Sequence, residues 1–73
     1  MNWHEILNEV LAHNKITEYR LCKIIGVSNS YFANIRNGRN VAPSFSYAIE
    51  LLKLHPDTWL IENGKFYRNG VEI

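Results

Sequence analysis

The chain has 73 residues, a net charge of +1 from eight Lys or Arg against seven Asp or Glu, and 47% hydrophobic content. That length predicts one domain, which at this size buries only roughly 60% of the surface its unfolded chain exposes, and no apolar run approaches the ~20 residues of a membrane-spanning helix. A single cysteine, Cys22, excludes an internal disulfide, and the acids of MNWHEILNEV stand where a signal peptide is basic and then apolar, so the expected location is the cytoplasm.

Taken in chain order, Trp3, Ile6, Leu7, Val10 and Leu11 recur at helical spacing and predict a first helix over 2–13 with one core-facing stripe. Asn14-Lys15 connects it to a second helix capped by Thr17, with Glu18 in the first turn and Leu21, Cys22, Ile24 and Ile25 on one face. Gly26 suits a left-handed exit, Val27 plugs the corner, and Ser28 is a good cap for a third helix running from Ser28 or Asn29 to about Asn37 and stopping at Gly38. Phe32 and Ile35 face inward there, leaving Asn29, Ser30, Ala33, Asn34 and Arg36 outside. Two short helices crossing around a glycine corner over 17–38 read as a helix-turn-helix.

Arg39 to Ala42 read as a loop, and Pro43 or Ser44 opens a fourth helix with Phe45, Ala48, Leu51 and Leu52 inward, ending near Leu54. His55-Pro56-Asp57-Thr58 resembles a fresh helix start that brings Trp59 and Leu60 onto the core. After Gly64, KFYRNGVEI places β-prone residues on both sides of Asn69-Gly70, a strong hairpin signal with arms so short that the ribbon needs the helical body or a second subunit. The expected fold is therefore all-α, a five-helix domain over 1–64 with a short C-terminal hairpin or tail over 65–73.

Charge is unevenly placed. Residues 15–40 hold Lys15, Arg20, Lys23, Arg36 and Arg39 against Glu18, a balance of +4, while the rest carries three bases against six acids, −3. Positive charge thus gathers on the motif, as on a surface that meets phosphate. His4, His13 and His55 read as surface or helix-end residues without metal-ligand spacing. No nucleophile-base pair or Gly-rich phosphate loop is visible, so neither enzymatic activity, metal nor cofactor is expected.

The motif, followed by NGR, AP, LLKL and DTWLIENG in order, resembles the Cro and lambda-type repressor family over about two-thirds of the chain. The resemblance implies a lambda-repressor-like five-helix domain that binds double-stranded operator DNA as a homodimer in a phage-type genetic switch, in the cytoplasm of a bacterial host. It implies base reading by Asn29, Ser30 and Asn34, and phosphate contacts from Thr17, Asn37 and Arg39. Two residues depart from the family: Glu18 stands where a Gln often donates to phosphate, and Arg36 where an acid is common, with Leu11 offered by the first helix. These departures, with Tyr31 beside the reading face, frame the alternative of an antirepressor whose Glu18, Tyr31 and Arg36 dock on the N-terminal domain of a phage repressor.

Overall fold

Residues 2–37 and 43–73 are described by the computed structural model, in which four helices precede a three-stranded antiparallel sheet. Helix α1, Trp3–Asn14, begins where the Asn2 side chain accepts a hydrogen bond from the Glu5 amide at 3.1 Å. It ends at Lys15, whose left-handed backbone (φ 54°) lets its own N–H and that of Ile16 both donate to the Leu11 carbonyl. The Asn14 amide donates to Val10 O and to Leu54 O, each at 2.8 Å, tying the end of α1 to the end of the fourth helix.

Helix α2, Glu18–Ile25, starts under Thr17, which accepts from the Arg20 amide at 3.2 Å, and stops at Gly26 (φ 89°). The Gly26 and Val27 amides both donate to Cys22 O, turning the chain sharply toward helix α3, Tyr31–Arg36. Helix α3 starts later than its sequence suggests. Ser28, Asn29 and Ser30 form the turn, and the Tyr31 N–H donates to Ser28 O at 3.1 Å. Helix α4, Phe45–Lys53, follows the buried Pro43 and the extended Ser44. The expected stop at Gly38, the loop at Arg39 to Ala42 and the phosphate role of Arg39 lie outside the described residues.

Ile6, Leu7 and Val10 of α1, Leu21 and Cys22 of α2, Phe32 and Ile35 of α3, and Ala48, Leu51 and Leu52 of α4 are buried and form the core. Three residues expected inside are not: Ile24 and Phe45 are each 53% exposed and Leu60 is 55% exposed, while Ile25 and Trp59 are half-buried at the core margin.

The five-helix, all-α expectation is overturned, because 59–62 is a strand. Strand β1, Trp59–Glu62, pairs antiparallel with β2, Lys65–Arg68, and β2 with β3, Val71–Glu72. Asn63 and Gly64 (φ 53° and 74°) and Asn69 and Gly70 (φ 52° and 84°) are two successive hairpin turns with positive φ at both central residues. That geometry matches the twist of the flanking strands and is the particular preference of Asn-Gly. The segment is thus WLIE-NG-KFYR-NG-VE, a meander, and Asn63-Gly64, where the helical domain is expected to give way to the tail, is its first turn. The expected division between 1–64 and 65–73 falls inside that turn.

Alternation then decides which face is covered. Trp59 and Ile61 point inward while Leu60 and Glu62 are exposed, and the cross-strand partners Arg68 and Phe66 share the inner face with them. Phe66 meets the edge of Trp3 at a ring separation of 5.9 Å and lies 6.2 Å from Phe45, closing the sheet over the helices. A lone two-stranded ribbon this short is marginal; a third strand and an apolar inner face supply what it lacks.

Candidate nucleic-acid interface

The surface carried by α2, the turn and α3 contains most of the residues singled out in the sequence. Ser30 keeps helical dihedrals (φ −93°, ψ −2°) although it precedes α3, so Ser30, Asn34 and Asn37 fall at i, i+4 and i+7, one stripe opposite the buried Phe32 and Ile35. Ser30 and Asn37 are exposed and Asn34 is half-buried. Asn29 is exposed in the turn, ahead of the helix, and its carbonyl faces the Cys22 thiol at 4.0 Å. Of the three residues expected to read bases, Ser30 and Asn34 share the helical stripe and Asn29 lies off it, while Asn37, expected at phosphate, lies on it. Thr17 is committed through its hydroxyl to the α2 cap.

The three residues assigned to a protein interface are engaged inside the domain. Glu18 Oε1 accepts from Arg36 Nε at 2.6 Å, and Arg36 Nη2 donates to Asn8 Oδ1 at 2.7 Å, so one guanidinium ties together α1, the start of α2 and the end of α3. Tyr31 accepts at its hydroxyl from the Ser44 amide at 2.9 Å, and its ring packs edge-on against Phe32 and Tyr47, both at 5.3 Å. It braces the start of α4 against α3. The two departures from the family pattern are thus complementary: the acid at the head of α2 neutralises the base at the foot of α3.

That pairing shapes the field of the motif. With Glu18 and Arg36 cancelling each other, Lys15, Arg20 and Lys23 are exposed cations on or beside α2, and Lys23 Nζ lies 4.7 Å from the Tyr19 ring centroid. Sequence reasoning did not single out Arg20 or Lys23 individually; their exposure follows from the phase of α2, whose opposite side carries Leu21 and Cys22. Burial raises the Cys22 thiol above its ordinary value, and the nearby Glu18 charge adds to the effect.

A second polar cluster lies between the helices and the sheet. His55 Nδ1 accepts from the Asp57 amide at 3.0 Å and from Trp59 Nε1 at 3.1 Å, so the imidazole carries its proton on Nε2 and donates it to Glu9 Oε2 at 2.7 Å. Arg68 donates from Nη2 to the same Glu9 oxygen at 2.7 Å and from Nε to Asp57 Oδ2 at 2.6 Å, with its guanidinium 5.4 Å from the Trp59 ring centroid. The Arg68 hydrogen bond holds the Asp57 carboxyl below its ordinary value, and the same contact raises Arg68. His55 follows the end of α4, as the helix-end half of its expected surface or helix-end placing has it, but it is buried rather than exposed. Glu9, His55 and Asp57 converge within 4.8 Å, as metal ligands would, but both imidazole nitrogens are hydrogen-bonded and the Arg68 guanidinium already supplies the compensating cation. The cluster clasps α1 to the sheet. Its members are up to 59 positions apart, which is why no local pattern announced it.

Among the described residues, a shallow cleft of about 290 Å³ lies between α4 and β1, lined by Ile49, Leu52, Lys53, Trp59, Leu60 and Ile61. Among the described residues no helix is long and apolar enough to cross a membrane. Compared with protein-family models, curated proteins and solved structures, the chain matches none of them.

Proposed function

We propose that the chain is a sequence-specific DNA-binding transcription regulator of helix-turn-helix type, acting in the cytoplasm as a homodimer on a two-fold related operator of a phage-type genetic switch. In this reading α3 enters the major groove and α2 crosses the sugar-phosphate backbone. The observation that carries it is the Glu18–Arg36 pair at 2.6 Å. It removes the one negative charge of residues 15–40 from opposition to phosphate, and leaves an uncharged polar stripe of Ser30, Asn34 and Asn37 along α3 and exposed Lys15, Arg20 and Lys23 on or beside α2. Hydroxyl and amide groups of this kind read base edges, while the cations hold the backbone. Two subunits are invoked because one domain of this size covers too little DNA for selective binding. The alternative of docking on a repressor's DNA-binding domain loses its assigned contacts, since Glu18, Tyr31 and Arg36 are engaged within the domain.

Fluorescence anisotropy of labelled duplexes drawn from the neighbourhood of the chain's own gene, over a salt series, tests the proposal. Three phosphate-facing cations per subunit give a log–log salt slope of about −2.7 per subunit and about −5.4 for a dimer. Arg20→Gln should weaken all duplexes alike and reduce the slope by about one per subunit, whereas Asn34→Ala should lose ~1–3 kcal/mol on the preferred site only. Absence of duplex binding at low salt would overturn the proposal. Tight binding to a repressor's DNA-binding domain under the same conditions would replace it with the antirepressor.

A further inference from the structure

The packing of Arg36 has a consequence for which bases this surface can read, and the inference rests on the DNA-binding function proposed above. Residues 28–37, SNSYFANIRN, contain a single charged side chain, Arg36. It is held inward by Glu18 at 2.6 Å and Asn8 at 2.7 Å, and its place on α3 is on the Phe32–Ile35 side rather than on the Ser30–Asn34–Asn37 stripe. The stripe thus offers one hydroxyl and two carboxamides, with no guanidinium and no ammonium. Arg20 and Lys23 sit on α2, one helix removed from it.

Guanine presents two acceptors, N7 and O6, to the major groove and is matched by the paired donors of Arg or by Lys. Adenine presents an acceptor at N7 and a donor at N6, matched by the donor and acceptor of one carboxamide. From these complementarities we infer that the recognition surface is built for adenine and selects against guanine at its central contacts: Asn34 takes adenine N7 and N6 in a bidentate contact, and Asn37 flanks it one turn on. Ser30, able to donate or accept, tolerates several bases at the opposite end. Discrimination comes from the packing of the domain as much as from the stripe itself, because Glu18 and Asn8 withdraw the one side chain of α3 that would favour guanine. Charge complementarity identifies the occupant as a duplex: Lys15, Arg20 and Lys23 are exposed on or beside α2, the helix that leads into the turn, and Ser30, Asn34 and Asn37 carry no acid that would repel phosphate.

The test is selection of duplexes from a randomised pool by the full chain, followed by titration of the selected site with single purines replaced by their 7-deaza analogues, which lack the N7 acceptor. The expected site has adenine at the positions whose 7-deaza replacement weakens binding about tenfold, while 7-deazaguanine elsewhere changes affinity less than twofold. Asn34→Asp, isosteric but lacking the amide donor, should abolish the adenine preference at one position per half-site, and Asn34→Arg should exchange it for guanine. The helical circular dichroism of both variants separates these effects from unfolding. A selected site with guanine at the N7-sensitive positions would overturn the adenine assignment and leave the DNA-binding function standing. Failure to retain any duplex from the pool would overturn both.

Discussion

Replacing Glu18 and Arg36 singly and together gives a double-mutant cycle on the contact that joins α2 to α3. The Nε–Oε1 distance is 2.6 Å, and the side chains are 29% and 24% exposed. Unit charges about 4 Å apart attract by about 4 kcal/mol at an effective dielectric of 20, but partial desolvation and the ordering of the arginine stem offset most of that. Fully exposed pairs couple by about 0–1 kcal/mol and hydrogen bonds to charged groups contribute about 1.5–3. A half-buried pair of this geometry should therefore couple by about 1–1.5 kcal/mol. Glu18→Gln retains an oxygen for the Arg36 Nε–H while dropping the charge, and Arg36→Met keeps the aliphatic stem, so neither variant opens a large cavity. Arg36→Met also forfeits the bond to Asn8 and should be the more costly single change. Urea unfolding followed by tryptophan fluorescence measures all four proteins; a loss of about 1 kcal/mol in Glu18→Gln corresponds to a melting point lower by about 4–8 °C. In 1 M salt, where the screening length is about 3 Å, the coupling should shrink. A coupling energy within about 0.3 kcal/mol of zero, the ordinary error of additivity, would refute the pairing as a brace of the motif.

Leu51→Ala, at a residue 1% exposed, should cost ~2–5 kcal/mol, and Phe32→Ala, the largest fully buried side chain, ~3–5 kcal/mol, a large share of the total stability of so small a domain; unchanged melting in either would mean that the core is elsewhere. Arg68 holds Asp57 below its ordinary value, so the unfolded chain takes up this proton first as the pH falls. The stability from this group is complete above the unfolded carboxyl value of about 3.9 and is lost as the pH drops through the lower folded value. Melting curves of wild type and Asp57→Asn between neutral and strongly acidic pH should converge at the acid end, and a constant difference would show that Asp57 is not responsible. Burial and a raised thiol should make Cys22 inert to thiol reagents in the folded protein, with labelling at the rate of opening and full labelling in denaturant. Gly64→Ala places a Cβ with nothing within 4 Å of it, so its cost should be the left-handed backbone penalty alone, about 1 kcal/mol by thermal melting; a loss of several kcal/mol would indicate crowding at the turn.

Helical periodicity determined α1 to α4 from the sequence, because burial of one stripe per helix writes itself at i, i+3 and i+4: Ile6, Leu7, Val10, Leu21, Phe32, Ile35, Leu51 and Leu52 are all inside. The corner at Gly26 was legible for a similar reason, since a left-handed exit from a helix has a local cost that few residues avoid. The segment Trp59–Glu62 was not legible in the same way. Four apolar and acidic residues after Pro56 suit the last turn of a helix or a half-buried strand, and the choice lies with partners outside the segment: Phe66 and Arg68 across the sheet, Trp3 and Glu9 beneath it. Two Asn-Gly pairs six residues apart were the one local hint of a meander. For the surface of α2, the turn and α3, spacing placed Asn34 on the outer side of α3, but sequence alone could not assign Arg36 to Glu18 and Asn8, nor move Asn29 into the turn. The Arg36 contacts depend on residues 18 and 28 positions away, where attraction acts only after the helices have packed. A hydrophobic stripe is a property of the chain, whereas an ion pair between helices is a property of their arrangement.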